Sequence, residues 1–132
     1  MEVQEKPKTT VVNRVQKNIR MDLWNIIEFQ ILSHCHLNKI FISEFNLKCL
    51  TFLVLNNNME LTTFCTEVIK KGLSGSTQSV RNILAKAEKK GLVTKLGKSK
   101  KKILINPDLN IQATGNILLD YKIMRVDPKE LQ

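Results

Sequence analysis

Residues 74–106, SGSTQSVRNILAKAEKKGLVTKLGKSKKKILIN, carry most of the charge pattern and turn signals of this chain. Val80, Ile83, Leu84 and Ala87 fall at i, i+3, i+4 and i+7, one apolar stripe on a helix of about 3.6 residues per turn. Thr77, Gln78, Arg81, Asn82, Lys86 and Lys89 occupy the opposite face, so polar side chains point away from any core that the stripe joins. Ser76, or Ser74 before it, can accept hydrogen bonds from the first free N–H groups. Gly91, after Lys89 and Lys90, is a helix stop with cations against the negative end of the dipole. The spacing predicts a helix from Ser76 to Lys90.

Two β-branched and Leu-rich runs follow, Leu92–Leu96 and Lys102–Asn106, on either side of Gly97-Lys98-Ser99-Lys100-Lys101. They predict a β-hairpin over 92–106 with a lysine tip. Upstream, Phe64, Cys65, Val68 and Ile69 keep helical spacing after Thr62 or Thr63 as cap, and Gly72 ends that run before the Gly72-Leu73-Ser74-Gly75 turn. Two helices joined by a short Gly-containing turn, over about 60–90, make a helix-turn-helix pattern.

With AEKKGLVTKL at the junction of its last helix and first hairpin strand, the segment 60–105 resembles the DNA-binding half of winged helix-turn-helix proteins of the MarR type. Its closure on Ile105-Asn106-Pro107 also resembles the winged-helix replication initiators of small plasmids and phages. The resemblance implies a mainly α fold with a small β-hairpin (α+β), a winged helix-turn-helix, to which the residue patterns on either side add an N-terminal helix and a C-terminal strand. It also implies a double-stranded DNA partner. Thr77, Gln78, Arg81 and Asn82 would then meet base edges, and Ser76, Lys86, Lys95, Lys98, Lys100, Lys101 and Lys102 the backbone.

Charge supports that placement. The net charge is +9, yet Lys70–Lys102 holds eleven Lys and Arg against the single Glu88, a net +10 that leaves the rest of the chain at −1. A localised basic patch is the electrostatic footprint of phosphate binding. With 132 residues there is room for one domain with one core, expected over 13–126. Cys35, Cys49 and Cys65 form no CxxC pair, which points to free thiols and a reducing cytoplasm. Neither a signal peptide nor a membrane span is expected.

Before the helix-turn-helix, residues 1–12 are expected to be a flexible arm. From about Asn18 to Leu37, Ile19, Leu23, Ile26, Ile27, Ile31 and Leu32 predict a long first helix whose stripe Trp24 widens. Ser43 can cap a second helix, with Phe45, Cys49 and Phe52 stacked on one side, and Asn56-Asn57-Asn58 supplies left-handed turn conformations at its end. Past the hairpin, Pro107-Asp108 marks a turn. Ile117, Leu119, Tyr121 and Ile123 then alternate with Leu118, Asp120, Lys122 and Met124, predicting a strand over 116–124 where MarR-type proteins close with a dimerising helix; a helix also fits Ile117, Leu118, Tyr121 and Met124. Residues 127–132 are expected to be a tail.

No Gly-rich phosphate loop, GxSxG, HExxH or suitably spaced carboxylate pair is present, so an enzyme is not expected. His34-Cys35-His36 are neighbours on a helix and diverge by about 100° per residue, which argues against a metal site. No cofactor is expected, and a small-molecule effector is left open. Function narrows to a DNA-binding transcriptional regulator or a replication initiator, with a protein-interaction or RNA-binding scaffold as the other class. A homodimer is expected, through Trp24 and Ile31 on the first helix and Ile117, Leu119 and Tyr121 on the last strand, because a lone strand exposes an edge that proteins normally cover.

Overall fold

The computed structural model of the chain describes residues 14–19, 22–98, 101–125 and 127. Strand β1 (Arg14–Ile19) is followed by helices α1 (Leu23–Leu37) and α2 (Glu44–Leu55), a two-residue strand β2 (Met59–Glu60), and helices α3 (Leu61–Lys70) and α4 (Thr77–Lys89). Strands β3 (Val93–Leu96) and β4 (Lys102–Ile105), a 3-10 turn at Pro107–Leu109 and strand β5 (Leu119–Met124) complete the order. The expected arm, 1–12, lies outside the described residues, as does the tail apart from Asp127.

The chain divides into two compact units: one spans 21–115, and the other contains the two ends. In the second unit β1 and β5 pair antiparallel, from Arg14↔Met124 to Ile19↔Leu119. The C-terminal segment is therefore a strand and not a helix. It starts at Leu119, so Ile117 precedes it.

In the larger unit α2 is the centre. Leu47, Cys49, Leu50, Thr51, Phe52, Leu53 and Val54 are all buried, which follows from a run apolar almost all round. Phe45 departs from the expected stack and is exposed. Thr51, the buried polar residue of this helix, satisfies its hydroxyl on the Leu47 carbonyl at 2.8 Å. Around α2 pack α1 (through Ile26, Ile27, Ile31 and Cys35), α3 (through Phe64, Cys65 and Val68), α4 and β4. The Phe52 and Phe64 rings meet at 5.7 Å between centroids.

The three-stranded sheet has the order β2-β4-β3, antiparallel throughout. The order helix, strand, helix, helix, hairpin over α2 to β4, with the hairpin's second strand in the middle of the sheet, is the winged helix-turn-helix architecture. Strand β1, helix α1 and strand β5 lie outside that order in the sequence.

Two boundaries differ from the sequence expectation for identifiable reasons. Helix α1 starts at Leu23, not near Asn18, because Asp22 caps it, Oδ1 accepting from the Asn25 N–H at 2.8 Å, while Asn18 and Ile19 belong to β1. Helix α3 starts at Leu61 with Glu60 at the cap position, so Thr62 and Thr63 lie inside its first turn. Pairing with the wing causes this. The Asn58 N–H donates to the Ile103 carbonyl at 2.9 Å and the Leu61 N–H to the Lys101 carbonyl at 2.8 Å, holding the backbone extended up to Glu60.

Candidate nucleic-acid interface

Helix α4 is closed at both ends by local bonds. The Ser79 N–H donates to Ser76 Oγ at 3.1 Å at the start. At the end the Gly91 N–H donates to the Glu88 carbonyl at 3.0 Å and the Leu92 N–H to the Ala87 carbonyl at 2.9 Å, with Gly91 at φ +77°. That double bond is the Schellman arrangement, which needs a left-handed residue, and the buried Leu92 and Ala87 supply its apolar contact. Helix α3 ends in the same way, Gly72 to Ile69 and Leu73 to Val68, which sets the turn into α4.

Val80, Leu84 and Ala87 are buried and Ile83 half-buried, so the outward face of α4 is fixed. Gln78, Asn82, Ala85 and Lys89, at i, i+4, i+7 and i+11, form the ridge opposite that stripe, and all are exposed. Thr77 and Arg81 flank the ridge and are exposed as well. Three of these side chains already have partners. Gln78 Nε2 donates to Asn82 Oδ1 at 3.0 Å, and Arg81 Nη2 donates to Thr62 Oγ1 on α3 at 3.4 Å.

The cations expected on a phosphate backbone divide into two sets. Lys86, Lys98, Lys101 and Lys102 are exposed. Lys95 is not comparable: its ammonium pairs with Glu88 Oε1 at 3.4 Å and its side chain is only 22% exposed. Ser76 spends its hydroxyl oxygen on the helix cap. Lys100 lies outside the described residues. Lys90 donates to the Phe41 carbonyl at 3.0 Å. Because the Leu61 N–H binds the Lys101 carbonyl, the root of the wing, the start of α3 and Arg81 meet at one corner. Sequence reasoning missed Thr62 as a neighbour of Arg81, and no periodicity signals a contact between residues 19 apart.

Of the residues expected at a dimer interface, Ile31 has to be withdrawn: it is 0% exposed, covered by its own chain, because its position on α1 lies on the same face as Ile27 and Cys35. Trp24, Ile117 and Leu119 are half-buried, and the Tyr121 side chain lies outside the described residues. The outward face of α1 instead exposes Phe29 and Leu32.

Burial pushes all three thiols above their ordinary range, Cys49 to about 11 with Cys65 adding to the effect. At Cys65 the Arg81 charge, held near α3 by its contact with Thr62, opposes the burial effect. His34 Nδ1 sits 3.4 Å from Asn38 Nδ2, Cys35 faces the core and His36 is exposed. Among the described residues no three His, Cys, Asp or Glu side chains converge as a metal site.

No family profile matches the sequence, and no curated protein matches it. Among solved structures the chain is similar to the Helicobacter pylori ferric uptake regulator Fur, a protein with three functional metal-binding sites, at 18% identity and a TM-score of 0.47 over 87% of this chain and 77% of that one. It is also similar to PerR of Streptococcus pyogenes, which acts in peroxide sensing and gene regulation, at 16% identity and a TM-score of 0.47 over 70% of this chain and 63% of that one. Among the described residues no helix is long and apolar enough to cross a membrane.

Proposed function

We propose that the chain binds double-stranded DNA as a transcriptional regulator, with α4 in the major groove and the wing on the backbone. The observation that carries this reading is the polar ridge of α4. A helix whose outer face is Thr77, Gln78, Arg81, Asn82 and Ala85 offers hydrogen-bond donors, acceptors and one methyl group to base edges, and it is followed by a hairpin whose exposed cations are Lys98, Lys101 and Lys102. The +10 charge of residues 70–102 coincides with that pair of elements.

The protein acts as a homodimer in this reading. A two-stranded ribbon such as β1-β5 is marginal by itself, its strand β5 exposes Ile123, and α1 exposes Phe29 and Leu32. Two-fold pairing would set two reading helices about 34 Å apart on one DNA face.

Titration of a fluorescent duplex pool at rising salt tests the reading. Specific duplex binding with a steep negative log–log salt slope, and weaker binding to structured RNA, is expected. Absence of duplex binding at low salt, or tighter binding to RNA, would move the chain into the scaffold or RNA-binding class.

A further inference from the structure

Gln78 and Arg81, two of the α4 side chains that can form bidentate pairs with bases, are each held by a second side chain. Gln78 Nε2 donates one of its two N–H groups to Asn82 Oδ1 at 3.0 Å. When the N–H trans to the carbonyl oxygen makes that bond, the other N–H and the carbonyl oxygen are left side by side. Adenine presents an acceptor, N7, beside a donor, N6–H, in the major groove. Guanine presents two acceptors and would face the amide oxygen with O6 or N7. An amide locked in this way therefore selects adenine.

Arg81 is the complement. Its Nη2 donates to Thr62 Oγ1 at 3.4 Å, and the guanidinium has five N–H donors, so its fork remains available. Two parallel donors match O6 and N7 of guanine and oppose the N6–H of adenine. The Thr66 hydroxyl bonds the Thr62 carbonyl and not its side chain. From its position beside Thr62 the charge of Arg81 is also felt at Cys65, one turn further along α3. Holding a long side chain in one place before docking reduces the freedom it loses on binding.

Resting on the duplex-DNA reading of α4, we propose that Gln78 selects adenine and Arg81 guanine on neighbouring base pairs, with Asn82 and Thr62 as their positioning residues. The spacing fits: three residues of helix rise about 4.5 Å, against about 3.4 Å per base pair, when α4 lies along the groove.

Selection from a random duplex pool with the full chain, followed by anisotropy on the selected duplex and its single-base variants, tests the assignment. One adenine and one adjacent guanine are expected at each half-site, and replacing the guanine should cost about 5- to 150-fold in affinity. Thr62→Val should shrink that ratio by about 2- to 13-fold, Thr62→Ser should restore it, and affinity for scrambled duplex should stay the same in both. Asn82→Ala should shrink the adenine ratio alone. Unchanged ratios in Thr62→Val and Asn82→Ala would overturn the positioning roles, and a selected site without the purine pair would overturn the base assignment. Either result leaves duplex binding standing, whereas no binding to any duplex would remove the functional reading itself.

Discussion

Replacing Lys98, Lys101 and Lys102 together by Gln should flatten the salt dependence of duplex binding by an amount set by how many of them reach phosphate. Each phosphate contact contributes about 0.9 to the log–log slope, so three contacts contribute about 2.7. Between about 50 and 200 mM salt, a fourfold change, that difference amounts to about 40-fold in relative affinity. All three side chains are exposed and sit on or beside the hairpin, which is why they are grouped. Lys95→Gln is the internal comparison. Its ammonium is committed to Glu88 at 3.4 Å with the side chain 22% exposed, so its loss should leave the slope nearly unchanged. Glu88→Gln, conversely, releases Lys95 and should steepen the slope by up to about 0.9. The assay is fluorescence anisotropy at five or more salt concentrations, with circular dichroism to establish that each variant is folded. An unchanged slope in the triple variant would take the wing out of the interface. A loss in Lys95→Gln as large as one third of the triple effect would refute the division between committed and exposed cations.

Lys39 sits at φ +58° in the left-handed position that closes α1, where the Lys39 N–H donates to the His36 carbonyl at 3.3 Å and the Ile40 N–H to the Cys35 carbonyl at 2.8 Å. Lys39→Gly should stabilise the fold by about 1 kcal/mol, read as a higher melting temperature, and a lower one would show that the lysine makes a compensating contact. Cys49, pushed up to about 11 from an ordinary 9.0, keeps in the folded state a proton that the unfolded chain gives up. Its contribution is therefore complete below pH 9 and is lost as pH rises toward 11, a change of order 1–3 kcal/mol. Urea unfolding should show native protein losing more stability over that window than Cys49→Ala; parallel losses would contradict the assignment. Phe29→Lys with Leu32→Lys, on the exposed face of α1, should convert a dimer mass in light scattering to a monomer mass and weaken binding to a two-half-site duplex. A monomer mass for the unaltered chain, with full affinity for one half-site, would remove the dimer.

The parts legible in the sequence were those governed by local rules. The Val80, Leu84, Ala87 stripe, the Ser76 cap and the Gly91 stop define α4 to within a residue, because each depends on neighbours within four or five positions. Asn58 at φ +68° ends the asparagine run as left-handed turn chemistry requires. Strand β2 was not legible. Two residues, Met59 and Glu60, have no periodicity to detect, and their extended backbone comes from β4, more than 40 positions away. The same holds for β1, whose partner β5 lies at the other end of the chain, and Ile19 in β1 fits a helical stripe continued back from α1. At the candidate site, residue identities and exposure could be read off the helix, whereas the partners of Arg81 and Lys95 could not.

That difference bears on how charge should be counted in such proteins. A net of +10 over residues 70–102 suggests a uniformly cationic surface, but electrostatic capture of a polyanion depends on ammonium groups that can move to phosphate. Lys95 is held by Glu88, Lys70 faces Glu67 at 3.5 Å, Lys90 is drawn to the Phe41 carbonyl, and Arg81 leans on Thr62. Among the described residues of that segment the exposed lysines beyond these are Lys71 at the end of α3, Lys86 and Lys89 on α4 and Lys98, Lys101 and Lys102 on the wing, so five of the six lie on the two elements that the proposal gives to the groove and to the backbone. The held cations carry the opposite implication. A guanidinium already fixed at α3 suits discrimination between bases better than long-range attraction, since its geometry is set before contact. In the proposed reading, affinity and specificity reside in different cations, and the salt slope of an Arg81 variant should change less than that of the wing variant even where its loss at the preferred site is larger.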